Sequence, residues 1–451
     1  MTSLLHSRQL LAALYEAAVS AVSPAPLASA ALANLDIPDD QRVWVLAFGK
    51  AAPAMANGAV SALRHSLHTI AGGVVVAPDA ASPPFSTVRT VSGDHPVPGQ
   101  RSFAAAKLVG DTASAVRGDD AAVVLISGGT TSLVAAPVRG VHELELAQLF
   151  VQLMDAGLDI GVMNAVRKRF LRWGAGRLAV ALAPARVHVL LLSDVPGDAP
   201  ADIGSGPCMP DEWSARDVAS RLGDARLLDH LAPSLREHLY LAMRGMTGET
   251  PKAGHPAFAH VTTRVIGTND VALDAAVGTA RALGLRAERG ACALTGEAAR
   301  CGNEIATALV QRAARGERGC VVWGGETTVR MRASSRDDRG AANSAPSITQ
   351  AAGGRCQELA LAAARTLAAA GENASGITLL AAGTDGRDGP TDAAGAFADT
   401  TLWRRILESG VDPDAALRFH RSHAALSAAG ALFRHEATGT NVMDLVIGVV
   451  E

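Results

Sequence analysis

The chain has 451 residues, a formal net charge of -3, 48% hydrophobic and 19% charged residues, so it has the length for two or three domains and is not a disordered chain. Near-neutral charge and only 4% aromatic residues argue against a dedicated nucleic-acid binder or base-stacking platform. The five cysteines form no CxxC and lack nearby histidines in zinc spacing, which points to a reduced cytoplasmic protein without a structural metal.

The first thirty residues mimic a signal peptide, but Glu16 interrupts the apolar stretch and the apolar residues recur at helical spacing. An amphipathic first helix is expected, and no membrane span. Strand, glycine-rich turn and helix then alternate. RVWVLAFGK runs into AAPAMANGAVSALR, GGVVVAP into a turn-rich stretch ending at HPVPG, AAVVLISGG into HELELAQLFVQLMDAG, and VHVLLLSD into a long loop. This alternation predicts an α/β fold, a doubly wound, largely parallel sheet with helices on both faces. A second α/β series starts near residue 260. The Gly- and Pro-rich stretch at 245–260 places the boundary, giving domains 1–255 and 256–451. Residues 332–352 carry no periodicity and read equally as a surface insertion or a flap beside the following GGR.

Several turns have the residue types of an anion site. In AFGKAAPAMA, Gly49 makes a tight turn and Lys50 stands just before a helix N-terminus, where amides and the helix dipole favour an anion. The chain has only four lysines, Lys50, Lys107, Lys168 and Lys252. LISGGTTSLV places Ser127, Gly128 and Gly129 after an apolar run, where amides and hydroxyls suit phosphate or form an ordinary capped turn. Asn164 and Lys168 share a helix face in NAVRKRF, as substrate ligands or a solvated face. Asp194 and Asp198 lie just past a buried strand, where carboxylates suit Mg²⁺ or a turn. In the second half, Glu297, Glu326, Gly353-Gly354-Arg355, Asp385, Asp388 and Asp392 sit in glycine-rich turns, and Asn441 and Asp444 either close a site or cap the last strand. Gly353 and Gly354 resemble a phosphate cradle beside an arginine able to grip two oxygens. His95, before a proline, reads as a base, a ligand to a carboxylate, or a turn residue, with the last favoured.

The ordered set AFGKAAPAMA, GDHPVPG, LISGGTTSL, NAVRKRF, LLSDVPGDAPADIGSGPCMPD, WGGETTV, GGRCQELALA and GTDGRDGPTDAAGA resembles the glycerate 2-kinase family with its C-terminal MOFRL region, over about residues 8–448. The resemblance implies ATP-dependent phosphorylation of D-glycerate to 2-phosphoglycerate with Mg²⁺, in a cytoplasmic enzyme of organic acid metabolism. It implies two α/β domains, the first Rossmann-like and the second smaller with MOFRL at about 318–448, and an active site in the cleft between them. A homodimer is compatible with it; nucleic acid and membrane partners are not expected.

In that frame Lys50, Arg355 and Asp194 are the catalytic candidates, and Ser127, Gly128, Gly129, Asn164 and Lys168 the substrate-binding ones. Glu326, Gly353, Gly354 and Asp385 are assigned to the nucleotide, and Asp194 and Asp198 to the metal; Asp385 is second choice as base. Two departures stand out: Cys356 where the family usually has Asn, and the longer stretch before GGR. The rivals are an NAD(P)H-dependent hydroxypyruvate reductase, for which AFGKAA lacks the GxGxxG fingerprint, and a non-catalytic sugar-acid binding protein.

Overall fold

The structure, a computed structural model, describes residues 2–79, 82–158, 160–329 and 353–451. The stretch expected as an insertion or flap, 332–352, lies outside the described residues. Its contacts divide the chain into two units, one of Pro24–Thr268 and one of Met1–Ser23 with Asn269–Glu451.

Pro24–Thr268 is built on six strands: β1 Arg42–Phe48, β2 Thr69–Ala77, β3 Val88–Ser92, β4 Ala121–Ile126, β5 Arg186–Leu192 and β6 Val261–Gly267. They lie in the order β3-β2-β1-β4-β5-β6, and every neighbouring pair is parallel. Parallel strands need crossovers, and the helices Ala52–His65 and Gln100–Ala115 supply two of them. All six residues of β4 are buried, as are all of β5 but Arg186. Side chains alternate between faces, so both faces of these strands are covered, and that is why they read as unbroken apolar runs. The order reverses between β1 and β4, and in open α/β sheets ligands bind beyond the strand ends at that reversal.

The other unit has β7 Ala287–Arg289, β8 Gly319–Gly325, β9 Ile377–Gly383, β10 Gly395–Asp399, β11 Leu432–Phe433 and β12 Asp444–Val450. Their order is β11-β10-β9-β12-β8-β7; β7 and β8 run parallel and the remaining pairs antiparallel. Helices Ala298–Ala314 and Arg355–Ala370 pack closely because a Cβ on Gly302 would overlap the Leu359 carbonyl.

The division departs from the expected one in two places. The VTTRVIG stretch, taken as the start of the second series, is β6 and pairs with β5 at the edge of the first sheet. The first helix, Thr2–Ala21, belongs with the second unit: Tyr15 is fully buried and donates to the Gly383 carbonyl at the end of β9 (2.7 Å). Leu4–Leu32 is long and apolar enough to cross a membrane by length and composition alone. Here its Leu11, Leu14, Ala18 and Val22 are buried inside the protein.

Candidate functional site

The turns after β1 and β4 form one hydrogen-bonded piece. Gly49 has φ +116°, and a Cβ there would overlap the side chain and backbone of Ser127, so only glycine fits. The Gly49 N–H donates to Val76 O (3.1 Å), the Lys50 N–H to Gly128 O (2.9 Å), and the Ala51 N–H to Ser127 Oγ (3.0 Å). The Thr130 hydroxyl spans Phe48 O (2.9 Å) and Ser127 O (2.7 Å). Ser127 is therefore buried and occupied with the backbone of the Lys50 turn, fixing that turn more than facing a ligand.

Three further groups meet on this piece. A Cβ on Gly128 would fall on the Asp194 carboxylate, so that carboxylate, delivered by the loop after β5, lies directly against the Gly128 backbone. Gly129 has φ +86°, and a Cβ there would lie 3.2 Å from His95 Cδ2 and 3.4 Å from Lys50 Cγ. The Lys50 side chain is exposed, two residues ahead of helix Ala52–His65, and among the described residues it pairs with no carboxylate. The His95 imidazole is pushed down to about 4, by removal from water and then by the Lys50 charge. The ring is exposed at the surface and neutral near pH 7.

Lys168 is not a free ligand group. It is buried, and its Nζ donates to Ala201 O and Asp202 Oδ1 (3.3 Å each), with Asp211 Oδ1 at 3.9 Å. It anchors the loop whose Ser205 hydroxyl bonds Thr131 (2.8 Å) beside Gly129, so its connection to the site is through that loop. Asn164 lies half-buried on the same helix, Ile160–Phe170, one turn earlier. Asp198 has φ +53°, and its Oδ1 is buried without a hydrogen-bond partner among the described residues.

A second cluster sits in the other unit, where β8 and β9 end and β12 begins. Asp444 pairs in register with Gly325 and Gly383. Arg355 opens helix Arg355–Ala370 and grips Asp444 with two nitrogens, Nε to Oδ2 (2.5 Å) and Nη2 to Oδ1 (2.9 Å), while Nη1 pairs with Glu326. Burial would lower the guanidinium, but Asp444 and Glu326 outweigh it and hold it above its ordinary value. A guanidinium has five N–H groups, so among the described residues two remain without a partner. Asp444 is buried, which pushes it up even against the pull of Arg355.

The Gly353-Gly354 pair does not form the expected cradle. The amides of Cys356 and Gln357, which would greet an anion at the helix N-terminus, donate to the Asp388 carboxylate (3.0 and 2.8 Å). A Cβ on Gly354 would overlap that carboxylate, and one on Gly353 would overlap Ser422 Oγ, so both glycines serve close packing. Burial pushes Asp388 up to about 7 although the two amides act the other way. Asp385 accepts the Arg387 N–H (3.0 Å) as a turn carboxylate, Asp392 is held by Arg434 and His423, and Asn441 accepts the Met443 N–H (3.2 Å). Glu297 stands exposed at the N-cap of helix Ala298–Ala314.

Sequence reasoning favoured a turn role for His95 and did not foresee its place beside Gly129 and Lys50, nor the Arg355–Asp444 pair. Both depend on residues distant in the chain, and no local pattern announces either.

Among the described residues no group of three or more His, Cys, Asp and Glu could cage a metal. Mg²⁺ needs no such cage, since it takes one or two carboxylates plus phosphate oxygens and water. The orphaned Asp198 oxygen in the loop that carries Asp194 fits that requirement.

Residues 10–240 match the family described as "Domain of unknown function (DUF4147)", and residues 319–444 the MOFRL family. A D-glycerate 2-kinase of Thermotoga maritima is 32% identical over 92% of this chain and 91% of its own. A protein of Agrobacterium vitis named "Putative hydroxypyruvate reductase" is 33% identical over 97% and 93%. The crystal structure of the Thermotoga maritima glycerate kinase superposes with a TM-score of 0.82 at 31% identity, covering 99% of this chain and all of that one. With the sheet order, the Lys50 turn and the C-terminal mixed sheet already described, these likenesses mean that the chain belongs to the MOFRL-containing glycerate 2-kinase family.

Proposed function

We propose that this protein transfers the terminal phosphoryl group of ATP to the 2-hydroxyl of D-glycerate, giving 2-phosphoglycerate and ADP. The observation that carries the reading is the Lys50 turn, hydrogen-bonded to the Ser127–Gly129 turn at the reversal of the parallel sheet, with Asp194 against Gly128. Phosphoryl transfer asks for positioning and charge neutralisation more than covalent chemistry. Lys50, without a carboxylate partner among the described residues, supplies a cation for the transferring group or the glycerate carboxylate. Asp194 accepts the 2-hydroxyl proton as oxygen attacks phosphorus. His95, being neutral, offers a hydrogen bond beside Lys50 without adding a like charge.

The two uncommitted N–H groups of Arg355 serve the phosphates, and Glu326 and Asp444 hold the guanidinium in place for them. Asp385 is left to its turn and is not used as a base. Asp198, with Asp194 nearby in sequence, would hold Mg²⁺, which when bound neutralises charge on the phosphates. The five unpaired cysteines support a reducing, cytoplasmic setting.

The sheet order is shared with dinucleotide-binding folds, so the fold does not separate kinase from reductase. The loop after β1 does: Gly49 is followed by Lys-Ala-Ala, without the glycines that let a backbone approach a pyrophosphate. The decisive experiment is one assay of purified protein. D-glycerate with MgATP is expected to release ADP and give a 2-phosphate ester by phosphorus NMR, while hydroxypyruvate with NADH leaves the NADH absorbance unchanged. A 3-phosphate product overturns the regiochemistry. NADH consumption without ADP release overturns the kinase reading, and binding without turnover makes the protein a sugar-acid binder.

A further inference from the structure

A second polar site lies in the Pro24–Thr268 unit, apart from the residues around Lys50. A cavity of about 950 Å³ is lined by Arg139, Arg172, Arg177, His238 and Thr247, and among the described residues no carboxylate lines it. None of the three arginines makes an ion pair with a carboxylate among the described residues, whereas Arg169 nearby in sequence is paired with Glu249. Arg177 is fixed in place: Nη1 donates to Lys168 O (3.1 Å) and Leu171 O (2.9 Å), and Nη2 to Arg169 O (3.1 Å), which leaves two of its five N–H groups. Burial, and then Arg169, push its guanidinium down to about 10, with Asp211 acting the other way.

Two uncharged polar groups that line the same cavity are also unsatisfied among the described residues. His238 is 9% exposed, and among the described residues neither its Nε2 nor Thr247 Oγ1 finds a hydrogen-bond partner. Burial, then Arg169 and Arg177, push the imidazole down to about 4, so it is neutral near pH 7. Buried polar atoms without partners are rare and costly; an oxyanion would accept from the Thr247 hydroxyl and from His238 in its Nε2–H tautomer, and would balance the guanidinium charge.

We propose that this cavity is a binding site for a small phosphate-bearing molecule, held by Arg139, Arg172 and Arg177 and oriented by His238 and Thr247. Its volume is within the range of small-molecule sites and exceeds what a bare phosphate ion fills. The site does not depend on the kinase reading, because none of its residues belongs to the Lys50 or Arg355 clusters.

The test separates it from the Lys50 turn. Inorganic phosphate and methyl phosphate are titrated into the full-length Lys50→Ala protein, and into that protein carrying Arg139→Gln and Arg172→Gln as well, while the His238 ring resonances are followed by NMR. Arg139 and Arg172 are exposed, so the added pair is expected to fold, with an unchanged thermal melt, and each protein's shifts are read from its own unliganded spectrum. Saturable His238 shifts in the Lys50→Ala protein, weakened roughly tenfold or more by the added pair, support the site. Methyl phosphate binding at least as tightly as inorganic phosphate supports an organic phosphate as ligand, and markedly weaker binding overturns it. His238 signals that ignore both probes, or equal affinity with and without the two arginines, overturn the proposal.

Discussion

Arg355→Ala should damage stability as well as turnover, because of what the guanidinium leaves behind. Asp444 is 3% exposed and takes two nitrogens of Arg355. Removing one partner of a buried pair typically costs about 3–5 kcal/mol, since the remaining charge is uncompensated. The half-exposed Glu326 arm adds only about 0–1 kcal/mol. Protonation sets a ceiling: bringing a carboxyl of ordinary value near 3.9 to the neutral form at pH 7 costs about 1.4 kcal/mol per pH unit, or about 4 kcal/mol in all.

The expected loss at pH 7 is thus about 3–4 kcal/mol, a fall in Tm of roughly 6–16 °C for a unit of this size. The sign with pH follows from the same group. Asp444 is already raised by burial, and loss of Arg355 raises it further. The variant's folded state therefore binds the extra proton first. Its deficit is full above the raised value and shrinks as pH falls toward the ordinary carboxylate range.

Thermal melts of wild type, Arg355→Ala, Asp444→Asn and the double variant at pH 5 and 7 measure this directly. The double variant should recover most of the melting temperature and none of the turnover. An Arg355→Ala protein that melts like wild type at both pH values refutes the argument.

Lys50→Ala should lower kcat by about 10²–10³ with an unchanged melt, because an exposed cation at a site of developing charge is lost without any buried partner; Lys107→Ala, an exposed helix lysine, is the matched control. Lys252, which the sequence alone makes a linker residue, is unsuited to that control because its Nζ donates to Trp213 O and Thr250 Oγ1. Gly128→Ala should depress kcat as strongly as loss of Asp194, since the new methyl occupies the place of that carboxylate; steady-state kinetics beside Asp194→Asn checks it. Asp198→Asn should raise the Mg²⁺ concentration for half-maximal rate by roughly tenfold while the metal-free melt stays put. An unchanged Mg²⁺ dependence removes Asp198 from the metal.

Much of the first unit was readable along the chain. Strand, glycine turn and helix are local patterns. Unbroken apolar runs such as AAVVLI announce strands covered on both faces. Gly49 before a helix declares a turn that only glycine enters, and Lys50 stands out among four lysines.

Contacts between distant residues were not readable. His95 beside Gly129, Asp194 against Gly128, and Arg355 on Asp444 89 residues later each join segments whose sequences carry no mark of one another. The same holds for β6 joining the first sheet and for Thr2–Ala21 joining the second unit. GGR reads as a phosphate cradle because glycine permits close approach, but only the fold shows that the approaching groups are Asp388 and Ser422. Periodicity and turn chemistry act over a few residues and fix the elements. Partner choice is set by burial across the whole sheet, where a buried charge needs a counter-charge or backbone hydrogen bonds, and that is decided once the chain has closed on itself.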